Sequence, residues 1–315
     1  MSRLPAGATE EQATMKTFDG LELNVRTYGD PDAELSVVLA HCWTADTEDW
    51  HYQVRDLLAA FGHQIQIVTW DHRGHGQSEP APLAACTVHN LGVDMGHVID
   101  RYAPTGRLVL AGHSIGGMTM MALAEQRPDI LGRVDGALFC ATSAADLDTV
   151  NLGMPEMGKV AKAQIPWILA QRARLHSRAT RRRMPVIERH VVRRFLFGTP
   201  LRPRDTGLVI DQIINCPPAT MEGFLRDMVD HHDRVLALAA YDNIPTVVLV
   251  GDRDLLTPLP HARKIAAHIK GARLVTLPGA GHMLPLERDA TVSEVLVELV
   301  TRARTASHLR QQQPA

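Results

Sequence analysis

None of the four cysteines in this 315-residue chain stands in a C-x-x-C pair. Cys42, Cys86, Cys140 and Cys216 therefore make neither a zinc knuckle nor a dithiol redox motif. Three of them lie in apolar runs, so buried free thiols in a reducing compartment are expected. Charge of one sign is also lacking. With 33 basic and 35 acidic side chains the net charge is -2, so the whole chain has no strong pull toward nucleic acid or a membrane surface. No apolar run approaches the ~18 residues of a membrane span, and the opening MSRLPAGATEEQATMK has no apolar stretch of a secretory signal. A cytoplasmic protein is expected. There is no internal repeat. The polar end from Arg302 to Ala315 is expected to fray. What remains is an ordinary globular composition, 45% hydrophobic and 22% charged, long enough for one large domain or two modest ones.

The residues from Phe18 to Asp30 carry a turn signal at Asp19-Gly20, then alternation at Leu21, Leu23 and Val25, which predicts an early antiparallel strand pair. Short apolar runs follow at 35–42, 64–71, 107–114, 134–142, 245–252 and 272–279. Stretches of helical period lie at 50–61, 88–102, 115–127, 258–270 and 290–304. Buried strands alternating with helices predict an α/β fold with a parallel sheet covered on both faces. From Ser143 to about Tyr241 the rhythm stops, and Pro-broken helical stretches suggest an inserted cap. The expected division is a core over 1–142, a helical cap over 143–241, the core again over 242–304 and a flexible tail over 305–315. Between Lys159 and Arg194 the cap carries eleven Lys or Arg and one acid, Glu188. That is either a solvated face or a basic rim for an anionic substrate, carrier or lipid surface.

The run LVLAGHSIGGMTMMALAEQ places Gly112, Ser114 and Gly116 as G-x-S-x-G where an apolar strand meets a helix-forming stretch. This is the context of a nucleophile elbow: the glycines allow a tight strand-to-helix turn, and the serine projects at the sheet edge. The amide of Ile115, at the helix start, points to where an oxyanion would form. A serine hydroxyl needs a base, and the base needs an orienting acid. VVLVGDRDLLTP ends one later strand with Asp252 and Asp254. LVTLPGAGHMLPLE ends the next with His282.

Taken together, AHCWTAD (40–46), WDHRGHGQS (70–78), AGHSIGG (111–117), GDRDLLTP (251–258) and GAGHMLPLE (279–287) resemble the α/β-hydrolase superfamily over residues 16–304. Within it the chain looks like the esterase- and lipase-like serine hydrolases with a helical cap between the sixth and seventh strands. The resemblance implies Ser114 as nucleophile, His282 as base and Asp254 as the acid, with Asp252 in reserve. It implies the backbone amides of Ile115 and Trp43 as the oxyanion hole. Many relatives have glycine where this chain has Cys42, and a side chain there would tilt the loop or narrow the pocket.

The implied activity is hydrolysis of a carboxylic ester of a small or medium-sized substrate through an acyl-enzyme, with no cofactor and no metal. Thioesterase, C–C hydrolase and perhydrolase reactions use the same triad, and a non-catalytic small-molecule receptor is the reading from another class. The implied partner is a small acyl substrate, anionic or carrier-bound. Asp71, His72, Arg73 and His75 read as a structural turn, and His113 as elbow packing. Adjacent His231 and His232 would point about 100° apart on a helix, a poor metal pair. Trp167 and the run 165–169 read as cap core or pocket lining.

Overall fold

The computed structural model describes residues 4–150, 171, 174–175 and 184–312. Eight strands form one sheet: β1 (Glu10–Lys16), β2 (Glu22–Gly29), β3 (Leu35–Ala40), β4 (Gln66–Trp70), β5 (Arg107–His113), β6 (Val134–Cys140), β7 (Thr246–Gly251) and β8 (Arg273–Leu277). Their order is β1-β2-β4-β3-β5-β6-β7-β8. β1 and β2 pair antiparallel with each other, and β2 pairs antiparallel with β4. The remaining pairs are parallel. β3, β4, β6 and β7 each end within two residues of the apolar run that predicts them.

Alternation along each central strand decides which face a side chain serves. Val38, Ala40, Leu108 and Leu110 pack with Met95, Val98, Met120 and Met121 of helices α2 (Val88–Tyr102) and α3 (Ile115–Gln126). Their neighbours Val37, Leu39, Val109 and Ala111 pack on the other face with Leu57 of α1 (His51–Phe61) and Leu296, Leu299 and Val300 of the final helix. Both faces are covered, so the strands read as continuous apolar runs.

The final helix runs from Asp289 to Gln312, through the tail that the sequence reading leaves frayed. Polar composition does not reveal its supports. Ala303 is buried, Arg304 lies over the Phe61 ring, and Arg310 pairs with Asp135.

The chain crosses from one side of β3 to the other when it passes from β4 to β5. In open α/β sheets this switch opens a crevice at the carboxyl ends of the strands, and the loops after β3 and β5 meet there. Their approach is close. A methyl group on Gly116 would land on the Ala40 carbonyl oxygen, and one on Gly112 would land on the Gly116 backbone. Gly116→Ala is therefore expected to lower stability by about 1–3 kcal/mol, the usual range for overpacking. An unchanged urea midpoint would contradict this packing.

Between β6 and β7 the described residues form no strand, only helices joined by loops. The helices include Val186–Val191, Val192–Leu196, Pro203–Asn215 and Pro218–Asp230. Trp167, the run 165–169 and most of the basic run before Met184 lie outside the described residues. Among those described, no helix is long and apolar enough to cross a membrane.

Candidate active site

Ser114 forms the corner between β5 and α3 with φ 55° and ψ -116°, a region that L-residues rarely adopt. Its amide donates to the Cys140 carbonyl at 2.9 Å, and its carbonyl accepts from Gly117 N and the Thr142 hydroxyl. These bonds hold the strained corner from both sides. Ile115 is the first residue of α3, so its N–H has no partner within the helix.

Asp254 and His282 come from the loops after β7 and β8. His282 Nδ1 donates to Asp254 Oδ2 at 2.9 Å, with both residues buried. Asp254 is held on all sides. Its Oδ1 accepts from the amides of Leu256 and Thr257, and its Oδ2 also accepts from the Thr257 hydroxyl at 2.8 Å. Burial pushes this carboxyl up, but His282 and Thr257 together outweigh it and hold it down at about 2. Asp252 is exposed and accepts from Gly279 N, so it caps a turn.

The loop after β3 carries Cys42 and Trp43. The Cys42 carbonyl accepts from His41 Nδ1 at 2.7 Å and from Ala45 N at 3.1 Å. The Cys42–Trp43 peptide is trans, so its N–H points away from that carbonyl, with the plane fixed by the two donors. Thr44, at φ 64°, closes the turn. His41 Nε2 accepts from His72 N at 2.8 Å, which sets a neutral tautomer with its proton on Nδ1. Burial lowers the pKa of this imidazole, in agreement.

Ser114, His282, Cys42 and Trp43 line one cavity of about 160 Å³. Its walls are apolar, with Met118 from α3 and Phe195, Leu196, Ile213 and Met228 from between β6 and β7. The segment 186–196 has two faces. Val191, Phe195 and Leu196 look into the cavity, whereas Arg189, His190, Arg193 and Arg194 line a separate shallow depression outside it.

Other sequence candidates fall outside the cavity. Arg73 is buried and grips Asp94 through two bonds of 2.7 Å, and it also bonds Asp19. Asp71 accepts from Asn24, Thr47 N and Gln77 N. His232 is buried against the Ser143 carbonyl, while His231 is exposed. All four cysteines are buried, and none is in a disulfide. Cys42 Sγ, His113 and His282 have ligand atoms within 4.8 Å of one another. That donor set suits a cation poorly: both His113 nitrogens are engaged, and burial pushes the Cys42 thiol well above its ordinary value.

Sequence reasoning missed three groups around the site. Thr257 is the clasp on Asp254. Glu287 accepts from the amides of Gly281, Met283 and Gly198, pinning the loop that bears His282. Asp49 accepts from Cys42 N and from His113. Thr257 and Glu287 stood inside the motifs GDRDLLTP and GAGHMLPLE, whereas Asp49 stood in none.

Comparison with known proteins gives one consistent result. Residues 37–295 match the model of the alpha/beta hydrolase family. The pimeloyl-[acyl-carrier protein] methyl ester esterase of Neisseria meningitidis is 25% identical over 256 residues, covering 80% of this chain and 88% of that protein. Epoxide hydrolase A of Mycobacterium tuberculosis is 25% identical over 313 residues, covering 90% and 95%. Among solved structures, a thermophilic esterase from Thermogutta terrifontis superposes with TM-score 0.72 at 25% identity, covering 93% of this chain and 99% of that one.

Proposed function

The chain belongs to the alpha/beta hydrolase family, and on that premise we propose that it is a serine hydrolase cleaving a small, largely apolar carboxylic ester. The observation that carries the reading is the buried Asp254–His282 hydrogen bond at a cavity that Ser114 also lines. In this mechanism Ser114 Oγ attacks the acyl carbonyl while its proton passes to His282 Nε2. Asp254 keeps the other ring proton on Nδ1 and stabilises the imidazolium that forms. The Ile115 and Trp43 amides take the charge on the tetrahedral oxygen. Collapse breaks the ester C–O bond, and the alcohol leaves with the proton from His282. Water then attacks the acyl-enzyme, gives a proton to His282, and its collapse returns Ser114 and a carboxylic acid.

The nucleophile argues against epoxide opening, for which the resemblance would place an aspartate at the elbow. The cavity walls carry no carboxylate and no Lys or Arg among the described residues. An uncharged acyl group suits them, and any anionic or carrier portion would lie outside, toward Arg189, Arg193 and Arg194. The esterase relative that acts on a carrier-bound methyl ester is compatible with that arrangement.

The test is turnover of p-nitrophenyl esters from acetate to decanoate beside the matching coenzyme A thioesters, with Ser114→Ala as control. A small cavity predicts short-chain esters as the better substrates and decanoate as a poor one. Thioester turnover with every ester left intact would move the assignment to a thioesterase.

A further inference from the structure

His113 and Asp49 make a buried pair beneath the site. Both are completely buried. His113 Nδ1 lies 2.7 Å from Asp49 Oδ2, and Nε2 lies 2.9 Å from the backbone carbonyl of His282. A carboxylate and a carbonyl only accept, so both ring nitrogens must donate. A neutral imidazole has one N–H; two donations require the imidazolium. Burial opposes charge on both partners, yet each partner's charge outweighs that cost, leaving His113 above and Asp49 below their ordinary values.

The connections of this pair are informative. Asp49 Oδ2 also accepts the Cys42 amide at 3.0 Å. His113 is the residue before Ser114. The carbonyl it holds belongs to His282, and the two rings lie 5.2 Å apart between centroids. One ion pair thus ties the loop that presents Trp43 N–H, the strand that ends in Ser114, and the loop that carries His282. Those segments are far apart in sequence, and no other group among the described residues bonds to all three.

We propose that the Asp49–His113 ion pair is a positioning device that sets the oxyanion loop and the His282 loop at a fixed distance from Ser114. The inference rests on the roles given above to Ser114, His282 and Trp43. Asp49→Asn keeps the size of the side chain and one acceptor but removes the charge that holds His113 doubly protonated. One of its two links must then break. A shift of about 1 Å at reacting groups costs on the order of 10²-fold in rate.

The test has two parts. In wild-type protein labelled with ¹⁵N-histidine, NMR at about pH 8, where an ordinary histidine is neutral, is expected to reveal one ring with both nitrogens protonated. Asp49→Asn removes that signature. A His113 with a single N–H in wild type overturns the proposal, whatever the enzyme's reaction. In the second part, kcat is expressed per active site titrated with a fluorophosphonate, which removes any unfolded fraction. Asp49→Asn is expected to lower this kcat by about 10²-fold with KM within about twofold, and adding His113→Gln is expected to cost nothing more. Unchanged kcat per titrated site, or independent and multiplying losses, overturns the proposal. Absence of labelling in wild type is a different failure, that of the serine-hydrolase reading, and leaves the NMR result to decide the ion pair.

Discussion

Ser114→Ala is expected to lower kcat by about six orders of magnitude, the scale at which loss of a serine nucleophile disables its whole triad. The hydroxyl is small and surrounded by atoms that stay in place, so the fold should be unaffected. Removing the side chain from a strained φ of 55° leaves the same strain, since alanine also dislikes that region. The melting temperature should therefore move little while hydrolysis disappears. Residual turnover near wild type would place the nucleophile elsewhere, and Cys42, the thiol in the same cavity, would be the first place to look.

Asp254→Asn is expected to cost about 10⁴-fold in kcat, because the amide N–H favours the wrong His282 tautomer, with the ring proton facing Ser114. It should also change acid stability. The Asp254 carboxyl is held at about 2, below its usual 3.8. A depressed folded-state value means stabilisation that is complete above the unfolded value and lost as pH falls toward the folded one. This group should contribute about 2 kcal/mol at neutral pH, fading between about pH 4 and pH 2. Urea unfolding over a pH series checks it. The stability gap between wild type and Asp254→Asn should narrow as pH falls through that window, and a gap independent of pH would contradict the assigned charge state.

Much of the scaffold was legible because parallel strands buried on both faces must be apolar throughout. Runs such as LSVVLA and TVVLVG can hardly be anything else. The elbow was legible because its glycines are forced by backbone contact: Gly112 against Gly116, and Gly116 against Ala40. His282 stood just past an apolar strand, and so did both Asp252 and Asp254; preferring Asp254 of the two acids took the family resemblance.

The groups that hold these residues were not legible. Asp49 and His113 are 64 positions apart, and nothing in local spacing reports a hydrogen bond across that distance. His113 read as packing because a buried histidine beside a glycine gives no other sign. Thr257 is an unremarkable residue in its loop until its hydroxyl is seen on the Asp254 carboxylate. The final helix was cut short because its end is polar, and its supports are an arginine over a ring and an ion pair to a distant strand.

The most direct test of the account is intact-protein mass after reaction with a fluorophosphonate, followed by peptide mapping, on wild type and Ser114→Ala. The account predicts a single adduct on wild type, mapped to Ser114, and none on the variant. An adduct on another residue, an equal adduct on Ser114→Ala, or an unlabelled wild type would contradict it.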